Sequence, residues 1–261
     1  MSLYKYTRPA NARFLAPCTL RFSPASEFND PFDGLPDTAA LTTMPEYQRI
    51  KNEWEGLAMH DPSDLELARG AAMAGELIEQ KAKTGMIKRL LADLNQNFRI
   101  LCLSHASPES MGAALMFGHY ADNHKGFAYE FDEHHPWFAE HEARRNPSRE
   151  IGPVVYRQHR ATVVGDGRQG LFVKSSLWWY EEEFRLVRYI GAGANGLSGA
   201  DHSIARFPPD MLTAILVGCM AEVATVDELK KQLASRPELA HVRLERMIPH
   251  PDAFLFTREG I

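Results

Sequence analysis

Cysteine is scarce in this sequence: the three cysteines among 261 residues are Cys18, Cys102 and Cys219, and they form no CxxC pair. Their odd number and wide spacing argue against a disulfide scaffold and against a cysteine-rich zinc site. Residues 1–14 lack the apolar core of a signal peptide, and no apolar run approaches the roughly 20 residues that cross a bilayer. We therefore expect a cytoplasmic protein that does not associate with membranes.

An excess of positive charge is also missing, because 29 basic and 34 acidic residues give a net charge of -5 at pH 7. This balance provides no overall electrostatic footprint for nucleic acid, although it leaves room for a local basic patch. The sequence has no phosphate loop of the GxxxxGKS or GxxxxGKT type and no GxSxG nucleophile motif. The glycine cluster GAGANG, at 191–196, follows a predicted strand, but no convincing helix follows it, and we interpret it as a plain loop.

Histidines are frequent in the middle of the chain, at His119, His124, His134, His135 and His141. The HExxH pattern, which places two imidazoles on one face of a helix, is absent. The spacing of five between the first two is poor for a helical metal site. We interpret these histidines as packing or solvated side chains and expect no metal ion.

The order of the predicted elements indicates an α+β fold. Alternating or apolar segments such as LYKYT, CTLRFS, FRILCLSH, FAYEFD and EFRLVRYI predict strands. Residues 45–97 are instead rich in Ala, Leu, Glu and Lys, and they predict two or three helices, one of which ends at Gly85. We therefore predict a mixed, largely antiparallel β core in a single domain, residues 1–261, with a helical insertion at about 45–97.

The segment FNDPFD, which follows the second predicted strand, is rich in turn-forming residues. Asn29 and Asp30 stand before a proline and can form an Asx turn, in which a side-chain oxygen accepts a hydrogen bond from a backbone amide. The functional alternative is that Arg21, Ser23 and Asn29 line a pocket at the end of the strand. Both interpretations stay open.

Two tryptophans and three consecutive glutamates stand together in WWYEEEFR. If a strand begins near Glu183, then Glu183, Arg185 and Val187 share one face, because side chains alternate along a strand. With Glu181 two residues earlier, one carboxylate could stabilise a developing positive charge while the other orients a nucleophile. The alternative is a surface charge run that Arg185 or Lys174 partly neutralises.

Several segments, in order, resemble the bacterial family called domain of unknown function 2971. They are LYKYT, FNDPFD, MFGHYADNHKG with the acidic strand FAYEFD after it, and WWYEEEFR. The family pattern is approximately LYKYR, FNDPFD, MWxxYAxxHxG and WxYExExR, and the match runs from Leu3 to about Arg188. The sequence departs from the pattern at Phe117, where tryptophan is more usual, and in its long helical insertion.

The strand order is also similar to that of ADP-ribosyltransferases of the toxin and phage-defence type. That resemblance implies a split sheet, NAD as the substrate, and a late glutamate that stabilises the oxocarbenium-like transition state as nicotinamide leaves. On this sequence it makes Glu183 the catalytic glutamate and Glu181 its partner. The NAD-binding set that we predict is Lys5, Tyr6, Arg21, Ser23, Asn29 and Tyr120. Lys5 stands where these enzymes have histidine, and a charged lysine cannot accept a hydrogen bond.

Three functions are open at this point. The first is an NAD-consuming ADP-ribosyltransferase or NAD glycohydrolase, with a nucleic acid or a protein as acceptor. The second is a metal-dependent nuclease or hydrolase that uses Asp30, Asp33, Glu181 and Glu183, because carboxylates suit magnesium and manganese. The third is a non-catalytic binding or sensor module of a defence system, whose partner would be an antitoxin or a phage protein.

Overall fold

The computed structural model describes residues 2–35, 37, 45–58, 65–140, 149–160, 168–190 and 203–261. These residues form an α+β fold with a mostly antiparallel sheet, which confirms the predicted fold class. The glycine cluster at 191–196 and His141 lie outside the described residues.

Short strands dominate both ends of the chain, and longer helices occupy the middle. The strands, in chain order, are β1 (Ser2–Thr7), β2 (Thr19–Arg21), β3 (Phe98–Ser104), β4 (Phe127–Asp132), β5 (Arg149–Pro153), β6 (Val155–Arg157), β7 (Val173–Ser175), β8 (Glu183–Tyr189), β9 (Ile204–Arg206), β10 (Leu212–Val217), β11 (Arg243–Pro249) and β12 (Phe256–Gly260). The α-helices are α1 (Pro45–Ala58), α2 (Leu65–Asn97), α3 (Met111–Tyr120), α4 (Pro136–Ala139) and α5 (Val223–Ala234). Short 3-10 helices span Pro9–Phe14, Ala25–Glu27, Arg168–Phe172, Ser176–Glu181, Pro209–Met211 and Pro237–Leu239.

The chain divides into two compact units. The sheet unit comprises Met1–Pro24, Phe98–Val154 and Leu177–Ile261, and the helical unit comprises Ala25–Asn97 and Val155–Ser176. The predicted single domain with a helical insertion stays a prediction, because compactness does not say whether either unit folds without the other.

Eight strands of the sheet unit pair in the order β12-β11-β10-β4-β1-β3-β8-β5. Neighbours are antiparallel except β10 and β11, which are parallel and are joined through α5. This ladder is continuous, whereas the resemblance to ADP-ribosyltransferases implied a split sheet. Its weakest seam lies between β1 and β3, which share a single pair, Tyr4 and Ser104. Farther along β3, Ile100 pairs with Ser23 instead of with β1.

Because side chains alternate along each strand, the strand register assigns every side chain to one of two sheet faces. On the α5 face, Leu3 and Tyr129 pack in a core that also contains Leu229 of α5. On the α3 face, Tyr4 and Tyr6 pack in a second core with residues of α3 such as Phe117. The ring of Tyr6 meets Phe117 edge to face, with ring centroids 5.0 Å apart.

The helical unit contains the predicted helices, but α2 does not end at Gly85. It continues to Asn97, because one glycine inside a helix costs only about 0.5–1 kcal/mol relative to alanine. Burial of Met86, which packs with Tyr47 of α1, opposes that cost. Among the described helices, none is both long and apolar enough to cross a membrane.

A tight turn joins α3 to β4, and three successive residues in it, Asp122, Asn123 and His124, have positive φ. Gly126 ends the turn, where its N–H donates to the carbonyl oxygen of Ala121 at 2.7 Å. A Cβ at Gly126 would collide with the carbonyl oxygen of Thr7 and lie 3.0 Å from that of Ala121. The close approach of three backbone segments therefore requires glycine here.

We predict that Gly126→Ala lowers the free energy of unfolding by about 1–3 kcal/mol or more, because the added methyl group overpacks against backbone atoms that cannot rotate away. Chemical denaturation followed by circular dichroism measures the change. Gly260→Ala in β12 is the matched control, since a Cβ there meets no atom within 4 Å. Equal stability of the two variants would contradict this account of the turn.

His124 gives the sheet unit a dependence on pH. Its ring stacks on Phe117, its Nδ1 atom is buried without a hydrogen-bond partner, and burial lowers its pKa below the ordinary value. The unfolded chain then takes up a proton at a higher pH than the folded chain does. The stability contributed by neutral His124 is therefore present above about pH 6.5 and is lost as the pH falls below it.

We predict that His124→Asn, which suits the positive φ, reduces the loss of unfolding free energy between pH 7.5 and pH 5. Denaturation of both proteins at the two pH values gives the comparison. The same pH dependence in wild type and variant would show that other groups cause it.

Candidate functional site

Lys5 and Arg21, two of the predicted NAD-binding residues, line the same cavity in the sheet unit. The cavity has a volume of about 140 Å³, and its polar lining also includes Thr7, Asn11 and Tyr129. It forms where β1 diverges from β3 and where the 3-10 helix Pro9–Phe14 leads toward β2. The fold therefore brings these two cationic residues to one cavity, and their role in NAD binding stays a prediction.

Lys5 bridges the seam between β1 and β3. Its Nζ atom donates a hydrogen bond to the carbonyl oxygen of Cys102 at 3.0 Å. An ammonium group has three donors, and within the described part of the chain no carboxylate forms an ion pair with Lys5. Lys5 is also half-buried, so its charge is partly withdrawn from water without an ion-paired carboxylate among the described residues.

The remaining polar atoms of the cavity are neutral. The Nδ2 atom of Asn11 donates to Oγ1 of Thr7 at 2.6 Å. Burial raises the pKa of Tyr129 far above its ordinary value, so its hydroxyl stays protonated. The cavity lining contains two cationic side chains and no carboxylate. Such a lining can hold an anion, but it offers no general base for hydrolysis.

Glu183 begins β8, as predicted, and is buried together with Arg185. The exposed fractions of the two residues are 5% and 0%. Nε and Nη2 of Arg185 donate to the two carboxylate oxygens of Glu183, at 2.9 and 2.8 Å. The Glu183 carboxylate is therefore neither a solvated surface charge nor an unengaged acid. Burial first, and then the negative charge of Glu183, raise the pKa of the nearby Cys102 thiol.

Glu181 is held on the α3 face by two contacts. The hydroxyl of Tyr120 donates to Oε1 of Glu181 at 2.6 Å. Oγ of Ser104 donates to the Glu181 carbonyl oxygen at 2.6 Å. Between the two glutamates, Glu182 has a φ of 42° and is exposed, so it points elsewhere, as the alternation predicts. Tyr120 thus contacts a predicted catalytic residue, although it was predicted to contact NAD.

The strand register separates the two predicted groups. Tyr4 pairs with Ser104, and Ser104 pairs with Glu183, so the side chains of all three lie on the α3 face. Lys5, the next residue after Tyr4, points to the α5 face. The structure therefore does not bring Glu183 and Lys5 together on one side of the sheet.

Three other predicted NAD contacts lie elsewhere. Tyr6 is buried on the α3 face, away from the cavity that Lys5 lines. Ser23 pairs with Ile100, whereas Glu183 pairs with Ser104. Ile100 and Ser104 are four residues apart on β3, which corresponds to about 13 Å along the strand. Asn29 is exposed and belongs to the helical unit. Their roles in NAD binding stay predictions.

The metal-dependent alternative relied on carboxylates gathering around one ion. Among the residues that the structure describes, no group of three or more His, Cys, Asp or Glu side chains is arranged to hold a metal ion. In the helical unit, Asp33 lies 3.9 Å from the buried ammonium of Lys174. Oδ1 of Asp30 accepts a hydrogen bond from the N–H of Phe32 at 2.9 Å, which confirms the predicted Asx turn.

Sequence inspection missed a second cavity of the sheet unit, of about 560 Å³, lined by His105, Glu133 and Phe184 among others. Nε2 of His105 lies 2.8 Å from Oε2 of Glu133. The two residues follow β3 and β4, whose ends meet at one sheet edge. His105 ends one predicted strand and Glu133 directly follows another, which was the available signal, but their pairing needed the strand order.

No family model, curated protein or solved structure matches this chain. Membership of domain of unknown function 2971 and similarity to ADP-ribosyltransferases therefore stay predictions from the motifs.

We predict that Arg185→Met lowers the free energy of unfolding by about 3–5 kcal/mol, because it leaves the Glu183 carboxylate buried without its partner. Replacing both residues, as Glu183→Gln with Arg185→Met, should cost less than the single change. Denaturation of the two variants and the wild type measures the difference. A double variant that is less stable than Arg185→Met would contradict a mutually compensating pair.

Proposed function

We propose that the chain is a nucleotide-binding module that takes a phosphate group of its ligand into the cavity lined by Lys5 and Arg21, and that NAD is the ligand. One observation carries this proposal: the half-buried ammonium of Lys5 has one hydrogen-bond acceptor and no carboxylate partner among the described residues. A phosphate oxygen would supply charge-assisted hydrogen bonds to the remaining donors.

The size of the cavity limits what it encloses. At about 140 Å³, it is smaller than the 300–1,000 Å³ of pockets that bury most of a drug-sized ligand. It fits one phosphate or ribose portion, and the rest of a dinucleotide would lie outside it. Thr7 and Asn11, which are hydrogen-bonded to each other, would form hydrogen bonds with the hydroxyl groups of the ligand.

Binding without cleavage is the form of the proposal that the geometry favours. Breaking the bond to nicotinamide needs a negative charge beside the ribose as positive charge develops there. The cavity lining has no carboxylate, and Glu183 is bonded to Arg185 on the α3 face. The chain would then serve as a sensor module, with an antitoxin, a phage protein or a nucleic acid as the partner that responds.

We predict that isothermal titration of the purified chain with NAD and with ADP-ribose gives saturable binding, and that Lys5→Gln weakens both affinities at least about tenfold. Glutamine keeps a donor for the Cys102 carbonyl but loses the charge, and hydrogen bonds to charged groups contribute about 1.5–3 kcal/mol. Lys230→Met removes the same charge from an exposed position of α5 and should leave the affinity unchanged.

The same samples separate binding from catalysis when nicotinamide release is followed by chromatography. We expect no release above the rate in buffer. Release that disappears in Glu183→Gln would support the enzyme prediction and refute a binding-only role. Absence of binding to either ligand, or equal binding by Lys5→Gln, would refute the site itself.

A further inference from the structure

A separate cavity, of about 150 Å³, lies within the helical unit and is rich in cationic side chains. Its lining includes Phe32, Arg157, His159, Arg160, Lys174 and Ser175. The chain as a whole is acidic, with a net charge of -5. A local concentration of three permanent positive charges is therefore unexpected, and it corresponds to the basic patch that the overall composition left open.

The two arginines of this cavity are available to a ligand. Arg157 and Arg160 are exposed, and neither has a carboxylate partner in the described part of the chain. Lys174 is different, because its side chain is 3% exposed and its Nζ atom lies 3.9 Å from Asp33. Asp33 offsets the charge of Lys174, so the arginines supply the uncompensated charge.

An exposed aromatic ring accompanies these charges. The exposed fraction of Phe32 is 56%, and the guanidinium carbon of Arg160 lies 5.2 Å from the ring centroid. A ring of this size is usually buried. The Asx turn at Asp30, whose Oδ1 accepts from the Phe32 N–H, fixes the backbone from which the ring projects.

The backbone holds the lining residues in a defined arrangement. β6 and β7 pair in parallel, with Arg157 opposite Ser175 and Tyr156 opposite Lys174. The ion pair between Lys174 and Asp33 connects this small sheet to the FNDPFD loop that carries Phe32. Strand pairing therefore positions the backbones of Arg157 and Lys174, and the buried ion pair connects Lys174 to the loop that carries Phe32.

We propose that this cavity and its exposed arginines bind single-stranded nucleic acid, with a base stacked on Phe32 and backbone phosphates on Arg157 and Arg160. Single-strand sites combine a cationic track for the backbone with aromatic rings for the bases. In a duplex the bases are already stacked on each other, so no base would be available to stack on Phe32. This site lies in the helical unit and does not depend on the proposed nucleotide site in the sheet unit.

Fluorescence anisotropy with a labelled 12-nucleotide single strand, as DNA and as RNA, tests the proposal. We expect the wild type to bind at low salt, with an affinity that falls as salt increases. Arg157→Gln and Arg160→Gln together should reduce the magnitude of the slope of log affinity against log salt by about 1.4, since each phosphate contact contributes about 0.7 for single strands. Phe32→Leu should weaken binding about tenfold with little change of slope, because it removes stacking and no charge.

Arg49→Gln is the control for loss of one positive charge, since Arg49 is an exposed arginine of the helical unit, on α1. It should leave both affinity and slope near the wild-type values. Circular dichroism of each variant checks that the fold is kept. The proposal is overturned if the wild type does not bind, if a duplex or a mononucleotide binds as tightly as the strand, or if Arg49→Gln weakens binding as much as the double change.

Discussion

The antiparallel ladder between β3 and β8 determines which face of the sheet carries Glu183 and Arg185. It runs over seven residue pairs, from Phe98 with Tyr189 to Ser104 with Glu183. Because side chains alternate, a slip of one residue would move Glu183 and Arg185 together into the apolar core of the α5 face, where Leu186 and Phe184 now pack. The completely buried guanidinium of Arg185 therefore penalises a register that is shifted by one residue.

That ladder also explains why two groups of residues that seem related in sequence are separate in space. The first strand meets β3 through one residue pair and then diverges, which leaves room for the cavity at Lys5. The acidic segment stays on the α3 face, where Tyr120 and Ser104 hold Glu181. The sheet unit thus contains a cationic cavity on one face and two buried, hydrogen-bonded glutamates, Glu181 and Glu183, on the other. An anion bound at Lys5 would consequently lie on the opposite face of the sheet from the Glu183 carboxylate.

Local sequence was sufficient for features that depend on neighbouring residues. The start of β8 at Glu183, the outward direction of Glu182 and the Asx turn at Asp30 follow from alternation and turn chemistry. The features that escaped prediction depend on distant partners. The end predicted at Gly85 was wrong because Met86 packs against Tyr47 of another helix. The pairing of Glu183 with Arg185 was considered, but its burial, and the opposite direction of Lys5, required the order of strands that are distant in the chain. Lys5 contacts Cys102, 97 residues away, and Glu183 pairs with Ser104 of β3.

The environment of the three cysteines determines how readily their thiols react. Burial raises the pKa of Cys18, Cys102 and Cys219, so the thiol form predominates at neutral pH. Oxidation by peroxide and exchange with disulfides proceed through the thiolate. All three thiols should therefore react slowly with peroxide and with disulfides while the chain is folded.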